Sequence, residues 1–300
     1  MTVLPNILLA SDFSKGSTLA LKRAASLALD LNIRLELLHV VEDSLLDHFF
    51  PPQQKAREKS RLAEAALRRL REEAEREIPA GVAYHCRVET GKAFLAIILT
   101  ARRVQASLIV VAAHGRHSLR DLFIGTTAEK VVRKADLPVL VVKNAPRAPY
   151  RRVLAPTDFS AAAGNALATA LTLAPDAQID PLHVYTLWGG GYLASPTIRD
   201  AAQERYQKEM RTRVSSSMAD WLRGIETGDR RIRKHIRQGR PGALIPKVAK
   251  ELAVDLVAMG TTGRSGLSHV LLGSVAEHAL WQVPCDLLTV RAAGFRFELP

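Results

Sequence analysis

Short hydrophobic runs alternate with longer amphipathic segments along the whole chain. The runs are almost continuously apolar, which is typical of parallel strands buried on both faces of a sheet. The segments between them have the residue spacing of helices with one apolar face. The pattern predicts strands at 4–10, 33–41, 82–89, 107–112, 138–143, 151–156, 178–185, 231–238, 255–260 and 285–291, and helices at 14–30, 53–77, 91–104, 126–135, 160–173, 197–223, 242–252 and 274–282.

The second half of the chain repeats the first. Four segments recur in the same order and at similar spacing: 6–14 with 152–160, 37–41 with 181–185, 108–132 with 255–280, and 137–143 with 283–291. We therefore predict an α/β protein of two similar domains, 1–146 and 147–300. Because strands and helices alternate, each domain should be a doubly wound, Rossmann-like sheet of five parallel strands with helices on both faces.

Composition narrows the class of protein. Hydrophobic residues make up 47% of the 300 residues, but no apolar run has the ~18 residues of a membrane span, and the N-terminus lacks a basic leader. The only cysteines, Cys86 and Cys285, form neither a metal-binding nor a disulfide pattern. We expect a cytoplasmic protein with no membrane partner.

The chain is basic, with a net charge of +12 that is shared evenly between the halves. A basic surface attracts polyanions and also suits nucleotide phosphates. Aromatic residues make up only 5% of the chain and no nucleic-acid motif is present, so no specific nucleic-acid partner is expected. A basic scaffold that binds polyanions without a nucleotide remains an alternative function.

Residues with ligand-binding chemistry follow several of the predicted strands. Asp12 and Asp158 follow the first strand of each half, and Val40 and Val184 lie at the end of the second. The glycine-rich stretch GTTGRSGLSHVLLGS follows the fourth strand of the second half and leads into a helix. Glycines allow positive φ and close approach of a ligand, and a helix N-terminus favours phosphate. Doubly wound sheets bind ligands at the carboxyl ends of their strands, so the sequence predicts an anion site there.

The glycine-rich stretch has a specific spacing. Two residues separate Gly260 from Gly263, and nine separate Gly263 from Gly273-Ser274. This is the G-2x-G-9x-G-(S/T) signature, and the chain resembles ATP-binding universal stress proteins over nearly its whole length, as a tandem pair of such domains. The resemblance implies that the protein binds ATP or another adenine nucleotide, with or without Mg²⁺.

The resemblance also implies the binding residues of the second half. Asp158 would lie on the adenine-ribose side, Val184 would contact adenine through its backbone, and the glycines and Ser274 would surround ribose and phosphates. Asp158 and Ser274 could instead only cap helices, although Ser160 is available to cap the helix after Asp158. Arg264 either reaches phosphate or is an exposed surface residue. The expected binding residues are Pro156, Asp158, Val184, Gly260, Gly263, Gly273 and Ser274.

The first half departs from the signature at one position. Ala112 stands where the first glycine belongs, whereas the remaining candidates are present: Asp12, Val40, Gly115, Gly125 and Thr126. Alanine resists positive φ, and its methyl group is expected near the ribose. We therefore predict weaker nucleotide binding in the first half than in the second.

Two histidines, His114 and His117, flank Gly115. We interpret them as part of a polar loop and predict no metal site, because zinc normally needs three or four protein ligands. No catalytic residue is assigned either, because Asp12 and Asp158 are the only acids that can be placed near the sites, whereas ATP hydrolysis needs a water-positioning group and usually a metal carboxylate.

The function that the resemblance implies is that of an adenine-nucleotide-binding stress-response regulator, which acts through ligand-dependent conformation or an unknown protein partner. A slow ATPase or nucleotide-dependent transferase is the alternative. The last strands of the two halves, 138–143 and 285–291, are apolar edge strands that should pair with each other. We predict an intramolecular pseudo-dimer with these strands antiparallel and with Val141 and Leu288 at the interface; association into a homodimer is left open.

Overall fold

The computed structural model describes residues 6–43, 52–115, 124–146, 149–186, 199–261 and 272–292. The strands are β1 Asn6–Ala10, β2 Arg34–Val41, β3 Tyr84–Thr90, β4 Leu108–Ala112, β5 Val139–Val142, β6 Arg152–Pro156, β7 Gln178–Tyr185, β8 His235–Gln238, β9 Leu256–Gly260 and β10 Asp286–Val290. The helices are α1 Lys15–Leu31, α2 Pro52–Glu77, α3 Ala93–Arg103, α4 Thr126–Lys134, α5 Ala161–Leu173, α6 Arg199–Arg223, α7 Pro241–Glu251 and α8 Ser274–Gln282. The predicted α/β class is confirmed, but β8 is shorter than predicted, with only an isolated bridge at Ile232 before it.

The described strands form one sheet in the order β3-β2-β1-β4-β5-β10-β9-β6-β7-β8. Pairing within each half is parallel, whereas β5 and β10 are antiparallel, with Leu287 opposite Val141 and Leu288 opposite Leu140. The predicted pseudo-twofold pairing of the last strands is therefore confirmed. In each half the strand order reverses beside the first strand: between β1 and β4 in the first half, and between β6 and β9 in the second.

The hydrophobic core has two layers, one on each face of the sheet. Leu9 and Leu37 belong to the layer beneath α1 and α2, whereas Leu8 and Leu38 belong to the opposite layer with α3 and α4. Successive strand residues point to opposite faces, so both alternating sets must be apolar. The nearly continuous hydrophobic runs in the sequence follow from this double burial.

A buried polar network joins the two halves. Asp286, which is 1% exposed, accepts hydrogen bonds from Lys143 N at 2.9 Å and Tyr150 Oη at 2.7 Å, and lies 3.4 Å from Arg23 Nε. Burial raises the pKa of Tyr150 well above its ordinary value, with a further contribution from Asp286, so the phenol stays protonated and donates. The carboxylate thereby joins groups from α1, the end of β5 and the interdomain linker.

Cations at the ends of β5 and β10 reach across the same junction. Lys143 Nζ donates to the carbonyl oxygens of Leu280 at 2.7 Å and Val283 at 2.9 Å, and Arg291 Nε donates to Ala135 O at 3.1 Å. Lys143 and Arg291 occupy equivalent positions in the repeat. Each half therefore places a cation at the carboxyl end of the other half's last helix, where the helix dipole favours positive charge.

Candidate functional site

A cavity of about 350 Å³ opens at the carboxyl ends of β6, β7 and β9, where the strand order reverses. It lies between these strand ends and the start of α8. Six residues singled out from the sequence line it together: Pro156, Asp158, Val184, Gly260, Gly273 and Ser274. The seventh, Gly263, lies outside the described residues, as does Arg264. The volume of the cavity lies within the range typical of small-molecule sites.

The turn from β6 into α5 positions Asp158 at this cavity. Asp158 Oδ1 accepts a hydrogen bond from Ser160 N at 3.0 Å, and Thr157 Oγ1 accepts one from Phe159 N at 2.8 Å. Ser160 is the N-cap of α5 and accepts from Ala163 N at 3.3 Å. Phe159 has a positive φ of 66°, a conformation that non-glycine residues seldom adopt. Ser160 therefore caps the helix, and the strained turn holds the Asp158 carboxylate at the cavity.

The first half has the same turn. Ser14 caps α1 and accepts from Ser17 N at 3.1 Å, Asp12 Oδ1 accepts from Ser14 N at 3.0 Å, and Phe13 has a φ of 60°. The repeated DFS sequence thus encodes a hydrogen-bonded turn that presents an aspartate at the end of the first strand of each half.

The N-terminus of α8 borders the cavity without a side-chain cap. Gly273 is the N-cap residue, and Glu277 N donates to Gly273 O at 2.8 Å, so the N–H groups of the first three helical residues have no partner within the helix. Ser274 is the exposed first residue of the helix and does not cap it. Uncapped N–H groups carry partial positive charge, so this helix end favours an anion.

Close packing explains why Gly260 and Gly273 are glycines. The backbone φ is positive at neither residue, so of the two reasons that the sequence suggested for these glycines, positive φ does not apply, whereas close approach of a ligand stays a prediction. A Cβ atom built on Gly260 would lie 2.9 Å from Cβ of Ala162 and 3.1 Å from Ala163 N, and one built on Gly273 would lie 3.0 Å from Thr261 O. A side chain at either position would collide with α5 or with the loop that follows β9.

The same contact explains Ala112 in the first half. By the repeat, Ala112 is equivalent to Gly260, and Gly16 is equivalent to Ala162. A Cβ atom built on Gly16 would lie 3.4 Å from Cβ of Ala112 and 2.3 Å from His114 O. Each half therefore has one methyl group at this helix–strand contact, supplied by the strand in the first half and by the helix in the second. The Ala112 methyl group faces α1, so the reason given for a weaker first site is not supported, although the difference in affinity itself stays a prediction.

Three of the remaining candidates of the first half, Asp12, Gly115 and Gly125, also lie close together. A Cβ atom on Gly115 would lie 2.7 Å from Asp12 Oδ2, which shows how closely the loop after β4 approaches this carboxylate. Gly125 N donates to Ala113 O at 2.7 Å, and Gly125 is the N-cap of α4 without a side-chain hydrogen bond. Thr126 begins that helix, and Val40 lies near the end of β2. His117, which was considered with His114, lies outside the described residues.

Two features of the second-half cavity were not recognised from the sequence. His183 stacks on Phe159 with ring centroids 4.4 Å apart, and its Nδ1 donates to Thr157 O at 2.8 Å. The LHV sequence shared by both halves was the available signal, because His39 stacks on Phe13 in the same way. The second feature is the buried hydroxyl group of Thr261.

Thr261 lines the cavity and is 2% exposed, and its buried hydroxyl has no hydrogen-bond partner in the described structure. An unsatisfied buried hydroxyl is costly, so a polar group entering the cavity could compensate it. The equivalent residue of the first half is Ala113. The two sites therefore differ by one hydroxyl group at a buried position.

The fold and the cavity define an α/β protein with a cavity at its topological switch point, bordered by an uncapped helix N-terminus. The chain matches the model of the universal stress protein family twice, over residues 4–143 and 149–291, and it therefore belongs to this family. No helix in the described residues is both long and apolar enough to span a membrane.

Individual relatives agree with this assignment. Universal stress protein E of Salmonella typhi is 27% identical over 233 residues, covering 74% of this chain and 73% of that protein. The universal stress protein E homolog of Haemophilus influenzae is 49% identical over 57 residues, which cover 19% of this chain and only 18% of that protein. A universal stress protein structure from Archaeoglobus fulgidus shares the fold, with a TM-score of 0.65 and 19% identity over 95% of this chain and 98% of that one.

Proposed function

We propose that the protein is a cytoplasmic regulator that binds an adenine nucleotide, in the first instance ATP, in the second-half cavity. The observation that carries the proposal is the uncapped N-terminus of α8, which borders a cavity that the Asp158 carboxylate also lines. The start of α8 suits phosphate, and the Asp158 carboxylate suits hydroxyl groups. A nucleotide carries both groups in one molecule.

The orientation of the nucleotide follows from these charges. Phosphates placed at Gly273 and Ser274 receive backbone N–H groups and the positive end of the helix dipole. Asp158 is negatively charged and would accept hydrogen bonds from ribose hydroxyls, whereas it would repel phosphate. We place the base beside β7, near Val184, because the apolar side chains of Leu182 and Ile245 also line the cavity.

Regulation, rather than turnover, fits the chemistry of the lining. Among the described residues that line the cavity, Asp158 is the only one with a carboxylate, and no group of three or more potential metal-binding side chains occurs in the described part of the chain. A nucleotide changes the conformation only through different affinities for two states. The nucleotide-bound and empty forms would then present different surfaces to a partner protein.

The proposal is tested by calorimetric titration of the purified protein with ATP and adenosine. Gly273→Asp places a negative charge at the N-terminus of α8 and should abolish ATP binding at that site, while adenosine binding falls less. Gly273→Asn is the matched control, because it places a side chain of the same size against Thr261 O without the negative charge and should therefore retain more ATP binding than Gly273→Asp. If the wild-type protein binds neither ligand, the proposal is refuted; equal losses for ATP and adenosine in Gly273→Asp would place the phosphates elsewhere.

A multiple-turnover assay with saturating ATP separates the regulator from the enzyme. A regulator should release no phosphate above the level of a heat-inactivated control. Sustained release that is lost in Ser274→Ala would favour the slow ATPase instead. Identification of the small molecules released on denaturation of the purified protein would name the bound nucleotide.

A further inference from the structure

The segment that leads into and includes β8, the outermost strand of the second half, is strongly basic, although β8 itself contributes only Arg237. The segment 230–240, RRIRKHIRQGR, contains six arginine or lysine residues and no acidic residue. It includes β8, which is the last strand on its side of the described sheet. None of these cations lines the cavity described above. The charge of this edge therefore needs an explanation other than nucleotide binding.

The equivalent edge of the first half, β3, provides an internal comparison. Leu38 pairs with Arg87, and the equivalent Leu182 pairs with His235, which aligns the two edges residue by residue. This alignment shows that the first half has one neutral aliphatic residue, a histidine, a cysteine and an acid where the second half has four cations. The pairs are Ala83 and Arg231, His85 and Arg233, Cys86 and Lys234, and Glu89 and Arg237.

Only some of the cations on the basic edge have partners. Arg230 donates to backbone carbonyl oxygens, including Pro175 O at 2.9 Å, and Arg237 lies 3.6 Å from Glu251. The other four are exposed and form no ion pair with any described residue: Arg231, Arg233, Lys234 and Arg240. On β3, in contrast, Arg87 is paired with Glu36 at 2.9 Å and Glu89 with Arg103. Mixed charges are enough to protect an edge strand from aggregation, so protection alone does not require a single sign of charge.

The backbone of the basic edge is also arranged to accept another strand. Ile179 N donates to Arg231 O, Arg233 N donates to Ile179 O, and Gly239 N donates to Tyr185 O, each at 2.9 Å. These odd-numbered residues direct their backbone groups towards β7. Because neighbouring residues of a strand direct theirs to opposite sides, the even-numbered residues from 232 to 238 direct N–H and C=O groups away from the sheet.

We propose that the β8 edge binds an acidic, extended polypeptide segment of a partner protein, which adds to the sheet as a further strand. Residues two apart on a strand are ~6.6 Å apart, so alternate carboxylates of an added strand match the spacing of Arg231 and Arg233. A nucleic acid would use the charges but not the backbone groups. The only aromatic ring in the segment 226–240 is that of His235, which is buried and hydrogen-bonded to Asp180, so it offers bases no surface for stacking.

The test measures fluorescence anisotropy of a labelled peptide of about ten alternating glutamate and threonine residues, titrated with the full-length protein. Arg231→Ser combined with Arg233→Ser should weaken binding about tenfold or more. The matched control, Arg57→Ser combined with Arg68→Ser, removes the same charge from exposed positions on α2 and should bind like the wild-type protein. A second peptide with the same charge but with proline in place of threonine should bind at least tenfold more weakly, because proline cannot donate to a strand ladder.

Each other outcome overturns the proposal. Equal weakening by the α2 control would mean that only net charge matters, and equal binding of the proline peptide would exclude strand addition. Tighter binding of a single-stranded RNA of similar length would indicate a nucleic-acid surface. If neither peptide binds the wild-type protein, the β8 edge does not bind an acidic strand. All measurements are made without added nucleotide and repeated with ATP, so failure here leaves the proposed nucleotide site untouched.

Discussion

The contact between Gly260 and α5 allows a quantitative test of how the second half is packed. In Gly260→Ala, the new methyl group would lie 2.9 Å from Cβ of Ala162, 3.0 Å from the carbonyl carbon of Ala162 and 3.1 Å from Ala163 N. Two of these atoms belong to the helix backbone and cannot rotate away. Overpacking of this kind typically costs ~1–3 kcal/mol, so we expect the free energy of unfolding to fall by about 2 kcal/mol.

The first half indicates which second change should compensate. It combines Ala112 with Gly16, so the double variant Gly260→Ala with Ala162→Gly reproduces the first-half pair in the second half. Ala162→Gly alone should cost ~0.5–1 kcal/mol, because glycine is unfavourable in a helix. In the Gly260→Ala background the same change should cost nothing or should stabilise the protein. The expected coupling energy is about 1 kcal/mol, within the range for residues in contact.

The assay is urea-induced unfolding of the wild-type protein, both single variants and the double variant. Ala112→Gly is the control, because it removes a methyl group from a contact that is already relieved by Gly16 and should cost less than Gly260→Ala. If the changes in unfolding free energy of the two single variants add up to that of the double variant within ~0.3 kcal/mol, the two positions do not interact and the packing argument is refuted. A Gly260→Ala variant as stable as the wild-type protein would refute it as well.

Three further changes test the junction and the cavity. Val141→Pro removes an N–H group opposite Leu287 and should lower the free energy of unfolding by at least ~1 kcal/mol in urea titrations, and unchanged stability would contradict the β5–β10 ladder. Burial lowers the pKa of Lys143 to about 8, below that of an unfolded lysine, so between about pH 8 and pH 10 the unfolded chain binds more protons than the folded one. The free energy of unfolding of the wild-type protein, relative to that of Lys143→Met, should therefore rise with pH from about 8 to about 10. A difference that falls over this range would contradict the burial of Lys143. Thr261→Val should preserve or raise the stability of the nucleotide-free protein while weakening ATP binding in calorimetry, whereas a loss of stability would mean that the hydroxyl already has a partner.

Much of the fold and part of the candidate site could be predicted from local patterns in the sequence. The nearly continuous apolar runs specified buried parallel strands, because both faces of each strand pack against helices. The repeat then specified two similar units, and the apolar last strands specified their antiparallel pairing. Because parallel strands end at one edge, Asp158, Val184 and Gly273 could be placed together from their order in the chain alone.

Contacts between distant segments decided the rest. The sequence shows Ala112 as a departure from the signature, but only the packed structure shows that Gly16 has lost a methyl group at the same contact. Likewise, the basic segment 230–240 has no distinctive period, and its position on the outermost strand depends on the order of the whole sheet. Hydrophobic periodicity reports which face of an element is buried, whereas the atoms that meet there are set by how separate elements pack, and that information is not local to any stretch of the chain.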